Sequence, residues 1–150
     1  MKIVGQTTGG GSTSSCEQSN VGVTSWTNIT SLPIALSDLA MVTLLGKAYV
    51  FGGGHEAYNG YGTMSSQTSV HMYDGVSVWV PKAAISPGRF GHAALALDDD
   101  RALVCGGVAP STIVNTCVIY TASTDTWTNA SAMAQARNAF NLVMSEGMWH

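Results

Sequence analysis

Charge is what this 150-residue chain has least of: only 10% of its residues are Asp, Glu, Lys or Arg. Six cations, none clustered, cannot form the basic footprint that a nucleic-acid partner requires. No apolar run reaches the roughly 18 residues of a membrane-spanning helix, and the apolar stretch of "MKIVGQTT" is too short for a signal peptide. Sustained 3.6-residue apolar periodicity is also missing. One Ala-rich stretch, "ASAMAQARNAF", has helix-favouring composition. No H-x-x-H, H-E-x-x-H or C-x-x-C spacing occurs, so no local metal motif is present, and no cofactor is expected. No Ser/His/Asp set can be picked out either, and no catalytic residue is assigned.

Glycine, Ser, Thr and β-branched residues fill the space instead. "AYVFGGGHEA" runs from a strand-like segment into Gly52, Gly53 and Gly54. A phosphate-cradling loop should open a helix and carry a lysine. The following "HEAYNGYGTMSSQTS" has the composition of a loop and contains no lysine. "DDD" at 98–100 is read as a solvated turn, because Asp bonds its own backbone in turns.

Repetition explains the glycines. Trp26, Trp79 and Trp127 mark a period of 48 to 53 residues. Ten residues after each stand Leu36, Arg89 and Arg137. Gly5 and Gly106 lie 21 residues before their tryptophans, and Gly107 follows Gly106. Gly52 lies 27 before Trp79, so one unit carries six extra residues after its glycines. Cys16 and Cys117 each precede their tryptophan by ten, and "WTNITSLPIAL" aligns with "WTNASAMAQAR". Each unit spells four short runs rich in Val, Ile, Tyr, Trp and Thr, separated by turn residues. In that register the Ala-rich stretch links one unit to the next, so it is expected to be a loop.

These features resemble the kelch repeat: a strand ending in Gly-Gly, then Tyr73 or Tyr120, then Trp79 or Trp127 six or seven residues on, then Arg89 or Arg137. The resemblance implies an all-β fold of β-propeller blades, each of four antiparallel strands, in an incomplete ring. Residues 1–36 form a partial, degenerate blade, with Gly5-Gln6 for Gly-Gly, Ser19 for Tyr and Leu36 for Arg. Residues 37–88 and 89–138 form full blades, and 139–150 begin another. Gly52, Gly53, Gly106, Gly107, Tyr73, Tyr120, Trp26, Trp79 and Trp127 are then scaffold, and Arg89 and Arg137, recurring at one offset, are first read as scaffold too, bonding loop carbonyls. By register both termini cut a second strand. The expectation is a piece of a longer kelch protein, or two copies that complete each other's split blade.

Cys105 and Cys117 are cross-strand neighbours in that register, which suits either a disulfide or two reduced thiols, and Cys16 is left over. Asn28 and Asn129 head N-x-S/T sequons at one repeat position and lean towards an extracytoplasmic site.

Fold does not dictate function. The first expectation is a scaffold that binds a protein partner through the connections between second and third strands and the links between blades. The candidate binding residues are His55, Tyr58 and Tyr61 on the enlarged loop, with Arg89 and Arg137 on the links. The resemblance also admits a propeller enzyme, galactose-oxidase-like or sialic-acid mutarotase-like, or an extracellular carbohydrate-binding propeller.

Overall fold

The structure is a computed structural model that describes residues 2–3, 11–56 and 63–145. Every element among the described residues is a β-strand or a turn, and every strand pair is antiparallel. The Ala-rich stretch is irregular, as its register requires.

Two four-stranded sheets follow the repeat. The first has the order β4 (Ala40–Leu44), β5 (Lys47–Phe51), β8 (Val70–Tyr73), β9 (Trp79–Lys82); the second runs β10 (Ala93–Ala96), β11 (Arg101–Cys105), β12 (Cys117–Thr121), β13 (Thr126–Ala130). A three-stranded sheet precedes them: β1 (Lys2–Ile3), β2 (Cys16–Ser19) and β3 (Trp26–Ile29). We call the three sheets blades 1, 2 and 3 in chain order. The surplus residues of blade 2 form a separate hairpin, β6 (Gly54–Glu56) with β7 (Met64–Ser66), where a loop was expected.

Blades meet face to face, and the cores lie between them. Leu44, Tyr49, Phe51, Val70 and Ile85 of blade 2 pack on Ala102, Val104, Val118 and Tyr120 of blade 3. Cys16, Leu32 and Leu36 of blade 1 pack on Val50, Tyr73 and Trp79 of blade 2. Alternation along each strand sends neighbouring residues to opposite junctions, so Val50 and Phe51 serve different cores.

The tryptophans repeat a bond across the junctions. Trp79 Nε1 donates to the Thr30 carbonyl at 2.8 Å, and Trp127 Nε1 to the Ala83 carbonyl at 2.9 Å. Thr30 and Ala83 each lie four residues past the preceding tryptophan. Tyr73 faces Trp79 and Tyr120 faces Trp127 in register, with ring centroids 5.1 and 5.0 Å apart. In blade 1 the corresponding pair is Ser19 and Trp26. Without an aromatic partner, Trp26 stays 38% exposed, against 5% for Trp79.

Candidate functional site

The fold has two rims. One carries the turns within each strand pair (β2–β3, β4–β5, β8–β9, β10–β11, β12–β13). The other carries the connections from second to third strands and the links between blades. Of the candidate binding residues read from the sequence, His55, Arg89 and Arg137 belong to this second rim.

The glycine turns occupy the second rim, and their chemistry is fully absorbed by the fold. Gly52 and Gly106 have φ of 51° and 67°, and a Cβ on either would stand 2.6 or 2.5 Å from the carbonyl oxygen of Arg89 or Arg137. Only glycine tolerates that close approach in the left-handed region. The amides are spent as well. Gly52 donates to Ser69, Gly53 to Arg89 and Gly54 to Ser37; Gly106 donates to Thr116 and Gly107 to Arg137. No cradle of free N–H groups is left for a phosphate.

Arg89 lies within this lattice. Its side chain is fully buried, and Nη1 donates to the Gly106 and Thr116 carbonyls, both at 3.2 Å. Those two residues flank Cys105 and Cys117, which the structure joins as a disulfide across the β11–β12 register. Guanidinium and disulfide thus clamp the same end of blade 3. Burial lowers the Arg89 pKa from its ordinary value. The Arg89 cation bonds carbonyls of its own blade, the scaffold role that its recurrence in the repeat suggested beside the binding one. Arg137 repeats the backbone bond but leaves its side chain exposed.

His92 is 5% exposed beside these turns, and both its ring nitrogens lack a hydrogen-bond partner. Burial, with the nearby Arg89 charge, pushes its pKa down to about 4, against a weak opposing contact from the Phe51 backbone. The imidazole is therefore neutral at pH 7. Asp125 forms a second latch on blade 2: its Oδ1 accepts from Tyr120 Oη at 2.6 Å and from the Ala83 amide at 2.9 Å. Neither role was read from the sequence. A histidine just before a strand and an aspartate in a polar turn look ordinary until the neighbouring blade is in place.

The β6–β7 hairpin is the one feature of the second rim that the blade repeat does not need. Its base is tied to blade 1. His55 Nδ1 lies 2.9 Å from the Ala35 carbonyl, and the Glu56 amide donates to Ser12 Oγ at 3.2 Å. Ser37 and Gly54 exchange both backbone bonds. Tyr58 and Tyr61 lie outside the described residues. Two adjoining hollows, of about 370 and 300 Å3, flank the link at Ile85 and Ser86 and share Val118 and Asn129 as walls. Among the described residues no group of three His, Cys, Asp or Glu side chains is placed to hold a metal.

No family model and no curated protein matches this chain. Among solved structures it is similar to the one titled "Structure of YjhT", with a TM-score of 0.70 at 17% identity. The match covers 81% of this chain and 45% of that one, so the chain spans less than half the length of its structural neighbour. At this identity the likeness concerns the fold alone: the chain is an all-β protein with propeller-like antiparallel blades, two of four strands and one of three among the described residues.

Proposed function

We propose that these are kelch-type propeller blades that work as a protein-binding module, with the hairpin rim of blade 2 as the recognition element. The observation that carries this reading is the anchored β6–β7 hairpin. It extends the glycine rim, contributes to neither blade core, and is held at its base by Ser12, Ala35 and Ser37. A base already fixed on the rim lowers the ordering entropy lost on binding. Its connecting residues include Tyr58 and Tyr61, the side-chain type that most often anchors protein interfaces. Exposed Arg137 supplies a cation on the same rim.

A propeller enzyme, mutarotase-like or copper-oxidase-like, is the second reading. It draws on the fold likeness and on the hollows beside Ser86. The binding reading is favoured because Arg89, which lines the second hollow, is already bonded to the Gly106 and Thr116 carbonyls, and buried His92 lines neither hollow.

A photo-crosslinking amino acid at position 58 tests the proposal, with exposed position 27 on strand β3, away from both rims, as control. The expected result is a protein adduct from position 58 that is absent at 27. Equal adducts at both positions, or none at 58, would overturn it.

A further inference from the structure

The opposite rim has a chemistry that the fold does not call for. Val21 is 105% exposed, Val23 55%, Leu45 51%, Val76 81% and Val78 50%. All five stand on turns of this rim in blades 1 and 2. Two of them also hold an unfavourable backbone: Val23 has φ of 52° and Leu45 of 49°. Asn, Asp or Gly takes that conformation readily, whereas a β-branched residue there is an outlier. Neither side chain recovers the cost by burial.

The turns themselves are firmly built by polar residues. Asn20 Oδ1 accepts from the Thr24 amide at 2.8 Å, and Asp74 Oδ1 accepts from the amides of Val76, Ser77 and Val78 at 2.8 to 3.0 Å. Both turns stand without their valines, which are held outward on a rigid frame. Lys47 Nζ donates to the Asp74 carbonyl at 2.7 Å, setting the 74–78 turn beside the Leu45 turn. The Leu45 amide donates to the Asp99 carbonyl at 2.6 Å, so the apolar turns run directly into the acidic turn of blade 3. Asp98 and Asp99 are exposed there, and Arg101 pairs with Asp98 alone. Apart from Lys47, the rim is apolar over blades 1 and 2, and it is anionic over blade 3.

We infer that this rim is a second docking surface, and that its occupant is a protein segment presenting apolar side chains next to lysine or arginine. Exposed apolar groups at sites disfavoured by both solvent and backbone are those a partner covers. The neighbouring carboxylates set the sign of the partner's charge and steer it. This surface is distinct from the hairpin rim, so either can fail alone.

The test uses two synthetic peptides with the same leucine-rich centre, one flanked by lysines and one by glutamates, titrated against the whole chain by fluorescence anisotropy. The lysine peptide should bind at least about tenfold tighter at low salt, a gap that closes in Asp98→Asn/Asp99→Asn. Leu45→Asn should weaken that binding about tenfold while leaving the melting temperature level or higher, because asparagine suits the turn. Val76→Ser should weaken it without the backbone gain. Equal or absent binding of both peptides overturns the inference, as does a fall in melting temperature for both variants. Binding to phosphatidylcholine vesicles in place of the peptides, or a dimer that Leu45→Asn dissolves, would assign the surface to lipid or to a second copy and overturn it too.

Discussion

The two blade junctions place different residues at the same repeat position. Ten residues past Trp26 stands Leu36, and ten past Trp79 stands Arg89; both are fully buried. Leu36 joins an apolar cluster with Cys16, Val50 and Tyr73. Arg89 instead satisfies two carbonyls at the disulfide-linked end of blade 3. Arg137, at the third such position, keeps the backbone bond and leaves its side chain exposed. The position is conserved in its backbone role. Its side chain follows its surroundings: Leu36 meets Val50 and Tyr73 of blade 2, whereas Arg89 meets carbonyls of its own blade.

Exchanging the two chemistries should break that comparison most severely. Leu36→Arg places a cation among Leu32, Val50 and Tyr73 with no carbonyl pair arranged for it. The expected cost is upwards of about 4 kcal/mol, read as loss of a cooperative urea transition. A variant that melts like the parent would show that the first junction is open to water.

Next come the tryptophans. Trp79→Ala should cost about 3–5 kcal/mol, as for a buried aromatic, and it also frees the Thr30 carbonyl. Half-buried Trp127 should cost less, although it stacks on Phe51 and Tyr120. Trp26→Ala should stay under about 1 kcal/mol. Equal losses at all three positions would contradict the graded burial.

His92 makes the second junction sensitive to acid. Its folded value near 4 lies below the ordinary 6.5. The stability carried by the neutral ring is complete above about pH 6.5 and is lost as pH falls towards 4, because the unfolded chain takes up the proton first. The loss is on the order of 3 kcal/mol. His71, also lowered by burial, acts in the same direction. Asp74, Asp98 and Asp125 are held below the usual carboxylate range, so their contributions fall away only below about pH 4. His92→Phe should flatten urea midpoints between pH 6.5 and 4, and an unchanged slope would assign the effect elsewhere.

Arg89→Leu is the smallest of the core changes. It copies the first junction but takes the guanidinium away from the Gly106 and Thr116 carbonyls, of which Thr116 keeps the Gly106 amide, for about 1–3 kcal/mol in the same urea assay. A stabilised variant would mean that the guanidinium serves something other than the blade.

Much of this architecture was readable because tryptophan and glycine are costly to misplace. A positive φ at Gly52 or Gly106 and an indole bond across a junction leave spacings that survive in the text. The β6–β7 hairpin was not readable: "GHE" and "MSS" lack the alternation and β-branched content of a strand, and their pairing follows from anchorage to blade 1. The burial of Arg89 was half visible. Its recurrence pointed to scaffold, but only the neighbouring carbonyls explain how a cation is enclosed. The exposed apolar turns left no signal, because Leu45 and Val23 contradict what their backbone prefers.

In this account the junctions hold the blades and the second rim meets the partner. Replacing Tyr58 and Tyr61 together with Ser tests that division most directly, with thermal melting and partner capture read on the same sample. The account predicts a melting temperature unchanged to within about 2 °C, as for a surface site, with loss of the protein captured by the parent chain. A variant that melts many degrees lower, or that captures the same protein undiminished, would contradict it.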